Sequence, residues 1–271
     1  MKLAGKTAVV TGAAGGIGRA LAVSLARRGC HLALADVNEA GLADTASLLP
    51  ESVASSGGLR VSRHRLDVGD RQAVAAFPAA VSANHPGVDI LVNNAGVALG
   101  GSFEQTDEAD FEWLFDINFW GVVRMTRAFL PLLRAGGEGQ IVNLSSLFGL
   151  IAPPGQTAYS ASKFAVRGFS ESLRHELEGS GVGVTTVHPG GIATSIARSA
   201  RMSKAISAAD QARSLKRFQH LLKMPPERAG EIIVQAIERR RPRVIVGSDA
   251  KFAALVERLL PSSYWRVIGR G

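Results

Sequence analysis

The sequence predicts an α/β fold: a parallel sheet with helices packed on both faces. Three observations lead there. Short apolar runs alternate with amphipathic stretches along the 271 residues. Those runs are uninterrupted rather than alternating, as in strands buried on both faces. A glycine-rich turn joins the first run to the first helical stretch. Length fits too, since an α/β chain of about 250 residues folds as one domain. No linker, repeat or low-complexity segment divides the chain, so residues 1–271 read as a single domain.

The elements follow in order. Thr7–Val10 is a strand, with a helical pattern running from the glycine turn to Gly29. His31–Ala35 is a second strand, ending at Asp36. Residues 39–55 read as a helix, Leu59–Leu66 as a strand with Arg and His alternating outward, 70–84 as a helix and Val88–Val92 as a strand. Residues 107–135 read as two helices broken near Asp116–Asn118. Gln140–Leu144 is a strand, 157–179 a helix, Val182–Val187 a strand, 226–240 a helix and Arg243–Val246 the last strand. Lys251–Leu260 is an amphipathic helix stopped by Pro261. About 193–225 is the one irregular stretch.

Composition excludes several classes. Hydrophobic residues make up 46% and charged residues 20%, too apolar for a disordered chain. The single Cys30 forms no internal disulfide and no thiolate zinc site. The six histidines have no helical metal-ligand spacing, so no metal is expected. There is no GxSxG elbow, which argues against a serine hydrolase on this sheet. Gly139–Ser162 is 24 residues without a formal charge, but Pro153-Pro154 and its polar residues would be unsatisfied in lipid. It reads as a buried strand and a buried polar loop. No signal peptide precedes the first strand, so a cytoplasmic location is expected.

The net charge is +8. Residues 195–271 hold 16 Lys+Arg and 6 Asp+Glu, net +10; the remainder is net −2. A basic excess suggests nucleic acid or an anionic membrane, and here it belongs to the last 77 residues alone.

Thr11, Gly12, Gly15, Gly16, Ile17 and Gly18 form a GxxxGxG turn between strand and helix. Such a turn lets backbone N–H groups and a helix N-terminus meet a pyrophosphate. Asp36, 24 residues after Gly12, is placed to accept from an adenosine ribose and repel a 2′-phosphate. Gly15 and Val37 offer no nearby cation, which predicts NAD over NADP. Asp67-Val68 and Asn93-Asn94-Ala95-Gly96 end the third and fourth strands, where ligands sit in open parallel sheets. Asp67 is positioned for the adenine amino group; the alternative for all these residues is ordinary strand-end capping.

Tyr159 and Lys163 stand at i and i+4 on one helix face, with Ser146 thirteen residues before Tyr159. A free tyrosine ionises near pH ~10, so only about one in a thousand is a phenolate at neutral pH, and a neighbouring cation favours that form. Side-chain alternation along the strand favours Ser146 over Ser145. Phe148, Gln156 and Gly191 flank these residues and either line a substrate site or pack the loop.

Taken in order, TGxxxGIG at 11–18, NNAG at 93–96, Asn118, Ser146, YxxxK at 159–163 and Pro189-Gly190 resemble the short-chain dehydrogenase/reductase family. The resemblance is close over about residues 4–195. It implies a Rossmann-type, doubly wound sheet of seven parallel strands, order 3-2-1-4-5-6-7, a nicotinamide dinucleotide, and hydride transfer at an alcohol carbon. It implies that Tyr159 is the acid/base and that Lys163 lowers its pKa and holds the nicotinamide ribose. Ser146 would bond the substrate oxygen, and Asn118 would kink its helix and bind a relay water. Pro189, Gly190, Ile192 and Thr194 would hold the carboxamide, with Gly191 beside them. It further implies a variable lid at about 193–225 and a homodimer or homotetramer.

The lid mixes Arg198, Arg201, Lys204, Arg213, Lys216, Arg217 and Lys223 with Ile196, Met202, Ile206, Leu215, Phe218, Leu221 and Leu222. Tyr264, Trp265, Arg266 and Arg270 lie in a C-terminal basic extension, about 249–271. The plain expectation is a lid with a solvated outer face and a tail covering its own core or a subunit contact. Peripheral membrane contact is the sharper one. The resulting expectation is a small-molecule alcohol/carbonyl oxidoreductase using NAD, with no nucleic-acid partner. Its competitors are double-bond reduction or epimerisation on the same fold, and a non-catalytic dinucleotide-binding regulator with a nucleic-acid-binding C-terminus. The intact Asn118, Ser146, Tyr159 and Lys163 set argues against the regulator.

Overall fold

The computed structural model of the chain describes residues 1–50, 58–203, 205–207, 211, 213 and 221–269. Among the described residues, seven strands form the main sheet: β1 (Thr7–Thr11), β2 (His31–Asp36), β3 (Val61–Arg65), β4 (Ile90–Asn93), β5 (Gly139–Leu144), β6 (Val182–Pro189) and β7 (Arg243–Val246). All pair in parallel, in the order β3-β2-β1-β4-β5-β6-β7. The order reverses between β1 and β4, where such sheets open a crevice beyond the strand ends.

The connecting helices are α1 (Gly16–Ala26), α2 (Glu39–Ser47), α3 (Arg71–Ser82), α4 (Glu108–Phe115), α5 (Gly121–Ala135), α6 (Thr157–Glu176) and α7 (Pro226–Glu238); α8 (Ser248–Leu259) and α9 (Tyr264–Ile268) follow the last strand. One core sets Leu21, Leu25, Ile233 and Ile237 of α1 and α7 against one face of the sheet. The other sets Val74, Phe77, Met125, Phe129 and Leu133 of α3 and α5 against the other. Burial on both sides explains why the inner strands read as continuous apolar runs.

The elements depart from expectation in identifiable ways. The helix expected over 39–55 ends at Ser47, shortly before Pro50, whose ring disfavours helical backbone in the residue ahead of it; residues 51–57 lie outside the described residues. The helix expected over 226–240 stops at Glu238, and Arg240 takes a positive φ of 48°. Residues 107–135 do not break. A π-helical turn, Asp116–Trp120, joins α4 to α5 without interruption. The irregular stretch carries structure of its own: Arg201–Met202 pairs in parallel with Leu99–Gly100. Among the described residues no helix is long and apolar enough to cross a membrane.

Candidate active site

The glycine turn leaves β1 at the switch point. Gly12 has φ +66°, and a Cβ there would lie 2.7 Å from Asn94 Nδ2. The closeness reflects a brace: Asn94 Nδ2 donates to the carbonyls of Thr11 (2.9 Å) and Gly12 (3.1 Å). The Asn94 and Ala95 N–H groups donate to Thr11 Oγ1, each at 3.0 Å. At Gly18 a Cβ would collide with the Gly12 carbonyl, so α1 packs directly on the turn. Gly15 faces open space instead. The segment after β4 therefore holds the turn's shape and leaves one side of it free.

Asp36 ends β2 beside this turn, accepting from Ala14 N–H and Asn38 N–H, each at 3.0 Å. Arg65 is its register partner on β3 and sits 3.6 Å from Glu39. That cation was missed in the sequence, because strand register, and not spacing, sets it beside Asp36. Asp67 Oδ1 accepts from Gly69 N–H, and Val68 is buried.

The π turn explains Asn118. The widened turn directs its fully buried amide to the backbone of Val97: Oδ1 accepts from Val97 N–H (2.8 Å) and Nδ2 donates to Val97 O (3.0 Å). A Cβ at Gly96 would stand 3.1 Å from Asn118 Oδ1 and 3.5 Å from Lys163 Nζ, so Gly96 separates the two groups without filling the space.

β5 ends in two serines with different roles. Ser145 Oγ is buried and donates to the Lys163 carbonyl. Ser146 caps the 3-10 turn Leu147–Gly149, accepting from Phe148 N–H (3.1 Å), and its hydroxyl is close enough to the Tyr159 phenol to favour the ionised form. Tyr159 lies in the first turn of α6 with the Phe148 ring edge-on at 6.1 Å. Lys163 is buried. Its Nζ donates to Leu144 O at 3.0 Å and lies 5.7 Å from the Tyr159 ring centroid. Gln156 precedes α6 with its amide donating to Gly155 O.

The resemblance implied a depressed tyrosine pKa. Burial instead raises it, with Ser146 opposing. Burial also takes Lys163 down to about 8. With its ammonium held by a backbone carbonyl, Lys163 does not overcome the desolvation of the phenolate.

The turn after β6 is held from afar. Gly191 N–H donates to Asp249 Oδ2 at 2.7 Å, and its carbonyl accepts from Lys223 and Met224 N–H, each at 3.0 Å. Cβ atoms at Gly190 and Gly247 would collide with the Asp249 carboxylate. Gly191 thus braces the turn through its backbone. Ile192 is buried, and the Thr194 methyl lies against Gly16, bringing this turn to the glycine turn. Asp249 was also missed; at 58 residues from its partner it has no local signal. His188, read as structural, shares a 3.0 Å hydrogen bond between Nδ1 and the Ser146 carbonyl. A carbonyl only accepts, so Nδ1 carries the proton. Burial lowers the pKa to about 4 and the ring is neutral at pH 7.

In the lid, Arg201 pairs with Asp110 at 2.7 Å and lies over the Trp113 ring, 3.7 Å from its centroid. This basic residue ties the stretch expected to form a lid to α4. Lys204, Leu215, Lys216, Arg217 and Phe218 lie outside the described residues, as does Arg270.

A doubly wound sheet with a braced glycine turn at its switch point and a Ser–Tyr–Lys cluster beyond β5 defines a Rossmann-type oxidoreductase. The family model for short chain dehydrogenases matches residues 6–205. The putative oxidoreductase SadH of Mycobacterium tuberculosis is 46% identical over 270 residues, covering 98% of this chain and 95% of the relative. A short-chain dehydrogenase/reductase of Burkholderia phymatum, solved in complex with NAD, superposes with a TM-score of 0.86 at 31% identity, covering 96% of this chain and 95% of the other. A short-chain dehydrogenase of Streptomyces avermitilis gives a TM-score of 0.82 at 30% identity, with 99% of each chain covered. The chain belongs to the short-chain dehydrogenase/reductase family.

Proposed function

We propose that this protein interconverts a secondary alcohol and its carbonyl with NAD(H), Tyr159 serving as acid and base. The observation that carries the reading is the convergence of Ser146, Tyr159 and Lys163 where β5 and α6 meet, beside the turn at 189–194.

The residues present fit a dinucleotide. Gly15 borders open space at the start of α1, where backbone N–H groups would receive a pyrophosphate. Asp36, Asp67 and Val68 would hold the adenosine end; Thr194 and the backbone of Ile192 would hold the nicotinamide end. When bound, the nicotinamide supplies or accepts the hydride at the substrate carbon. In reduction the Tyr159 phenol gives its proton to the carbonyl oxygen, and in oxidation the phenolate takes the hydroxyl proton. Ser146 donates to the same oxygen and stabilises developing charge there. The Lys163 ammonium near the ring favours the phenolate, and the Phe148 ring packs at a right angle to it. The Asn118 carboxamide oxygen, which accepts from Val97 N–H, also borders the space beside Gly96, where a relay water would sit.

A raised Tyr159 pKa keeps the proton on the phenol at pH 7. Oxidation is therefore expected to accelerate with rising pH, and reduction to prevail on the acid side. Asp36 supports NAD, while Arg65, its register partner, would favour a 2′-phosphate. Comparable kcat/KM for NAD and NADP would overturn the preference. The direct test follows NADH absorbance across secondary alcohols graded by size and charge, and no turnover on any of them would overturn the reaction assignment. A homodimer or homotetramer in the cytoplasm is the assembly and location we propose, checked by light scattering and cell fractionation.

A further inference from the structure

We propose that the outer face of α8 and α9 docks on an anionic lipid surface. Phe252, Leu255 and Leu259 recur at three- and four-residue spacing along one side of α8 and are 58%, 55% and 68% exposed. Ala250 and Ala253 on the opposite side are buried against the domain. Leu260, just past the end of α8, and Val267 on α9 are exposed as well. Of twelve large apolar side chains exposed among the described residues, these five fall within sixteen positions of one another. Singly scattered apolar residues are ordinary on a protein surface, and a contiguous strip is not.

Charge identifies the occupant. Lys251 and Arg258 flank the strip on α8, and Arg266 is exposed on α9. None of the three forms an ion pair among the described residues. Both acids of α8 are drawn elsewhere: Asp249 to Gly191 N–H, and Glu257 close enough to Arg243 of β7 to favour its charge. Among the described residues the outward face is thus apolar, with exposed cations beside it and the two acids of α8 engaged elsewhere. This is the pattern of a helix lying in a membrane interface, its apolar side in the acyl boundary and its Lys and Arg at anionic headgroups. A second copy fits less well, because a two-fold contact along this face would bring Lys251 of each copy toward Arg258 of the other, like charge toward like.

The face is also tied to the active site. Tyr264 Oη of α9 accepts from Ala152 N–H at 3.0 Å, in the loop that leads to Tyr159, and Asp249 at the start of α8 holds the turn after β6. Docking there would set the site beside the bilayer, which suits a lipid-soluble alcohol or ketone.

The test is flotation of the full chain with phosphatidylcholine vesicles, with and without phosphatidylglycerol. Binding is expected to the anionic vesicles at least tenfold over the neutral ones, and to fall at high salt. Leu255→Asp with Leu259→Asp, and separately Lys251→Glu with Arg258→Glu, should each abolish it. Unchanged melting and unchanged turnover of a water-soluble alcohol would show that the variants remain folded. Equal or absent binding to the two vesicle types overturns the proposal. So does a change of oligomeric state in the Leu255→Asp, Leu259→Asp variant with vesicle binding intact, which would make the face a contact between copies.

Discussion

The two turns that face each other across the cofactor crevice are built differently. The turn after β1 is shaped by its own glycines and braced by Asn94 and Ala95, all within recognisable motifs. The turn after β6 is shaped by Asp249 and by Lys223 and Met224, which no motif announces. One end of the site therefore belongs to the slightly acidic first 194 residues, and the other leans on the basic last 77. The proposed catalytic groups sit on the first part, and the turn after β6 is hydrogen-bonded by residues of the second.

The largest effect should come from the chemistry itself. Tyr159→Phe removes the transferable proton and should lower turnover by about 10²–10⁴-fold. NADH binding, followed by fluorescence, should change less than threefold. Retained turnover would reject Tyr159 as acid/base.

The next variant strikes the first turn. Gly12→Ala places a Cβ at φ +66° and 2.7 Å from Asn94 Nδ2, which must shift. A strained residue of this kind costs about 1–3 kcal/mol. A melting temperature and NADH affinity like those of the parent protein would show that the brace is not needed.

Asp249→Ala tests the second turn and should be milder, because the carboxylate lies at the surface. Loss of its hydrogen bond should weaken NADH binding several-fold, at about 1 kcal/mol, with kcat little changed. Asp249→Asn, which still accepts from Gly191 N–H, should recover most of the loss. A drop in melting temperature without any change in affinity would separate Asp249 from the site.

The smallest effect is a stability gradient. His188 and His85 both have folded-state pKa values lowered to about 4, mainly by burial, against about 6.5 when unfolded. Their neutral forms are retained in the fold at no cost above pH 6.5. As the pH falls from 6.5 toward 4, the unfolded chain binds protons that the native chain refuses, and stability declines. For the fully buried His188 the slope is about 1.4 kcal/mol per pH unit. Urea midpoints that stay level between pH 7 and pH 5 would contradict this.

Legibility followed distance along the chain. The strands, the glycine spacing and the Tyr159–Lys163 pair depend on periods of two to five residues, and each was visible. Ser146 was separable from Ser145 by strand alternation, and the structure turns Ser145 inward to the Lys163 carbonyl. The sequence placed a break near Asp116–Asn118, but the helix runs on through a π turn there, with the buried Asn118 amide satisfied by Val97. The pairing of the lid at Arg201–Met202 with Leu99–Gly100 had no signal, since a two-residue strand has no period.

By itself the sequence determined the alternation of strands and helices, the glycine turn and the set of chemical groups, because each follows from local backbone geometry or side-chain periodicity. The tertiary structure alone decided which distant groups meet: Arg65 beside Asp36, His188 behind Ser146, Asp249 under Gly191, and Tyr264 against the loop before Tyr159. It also decided the protonation balance at the site, since desolvation depends on how many neighbours a packed fold gathers around a phenol or an ammonium.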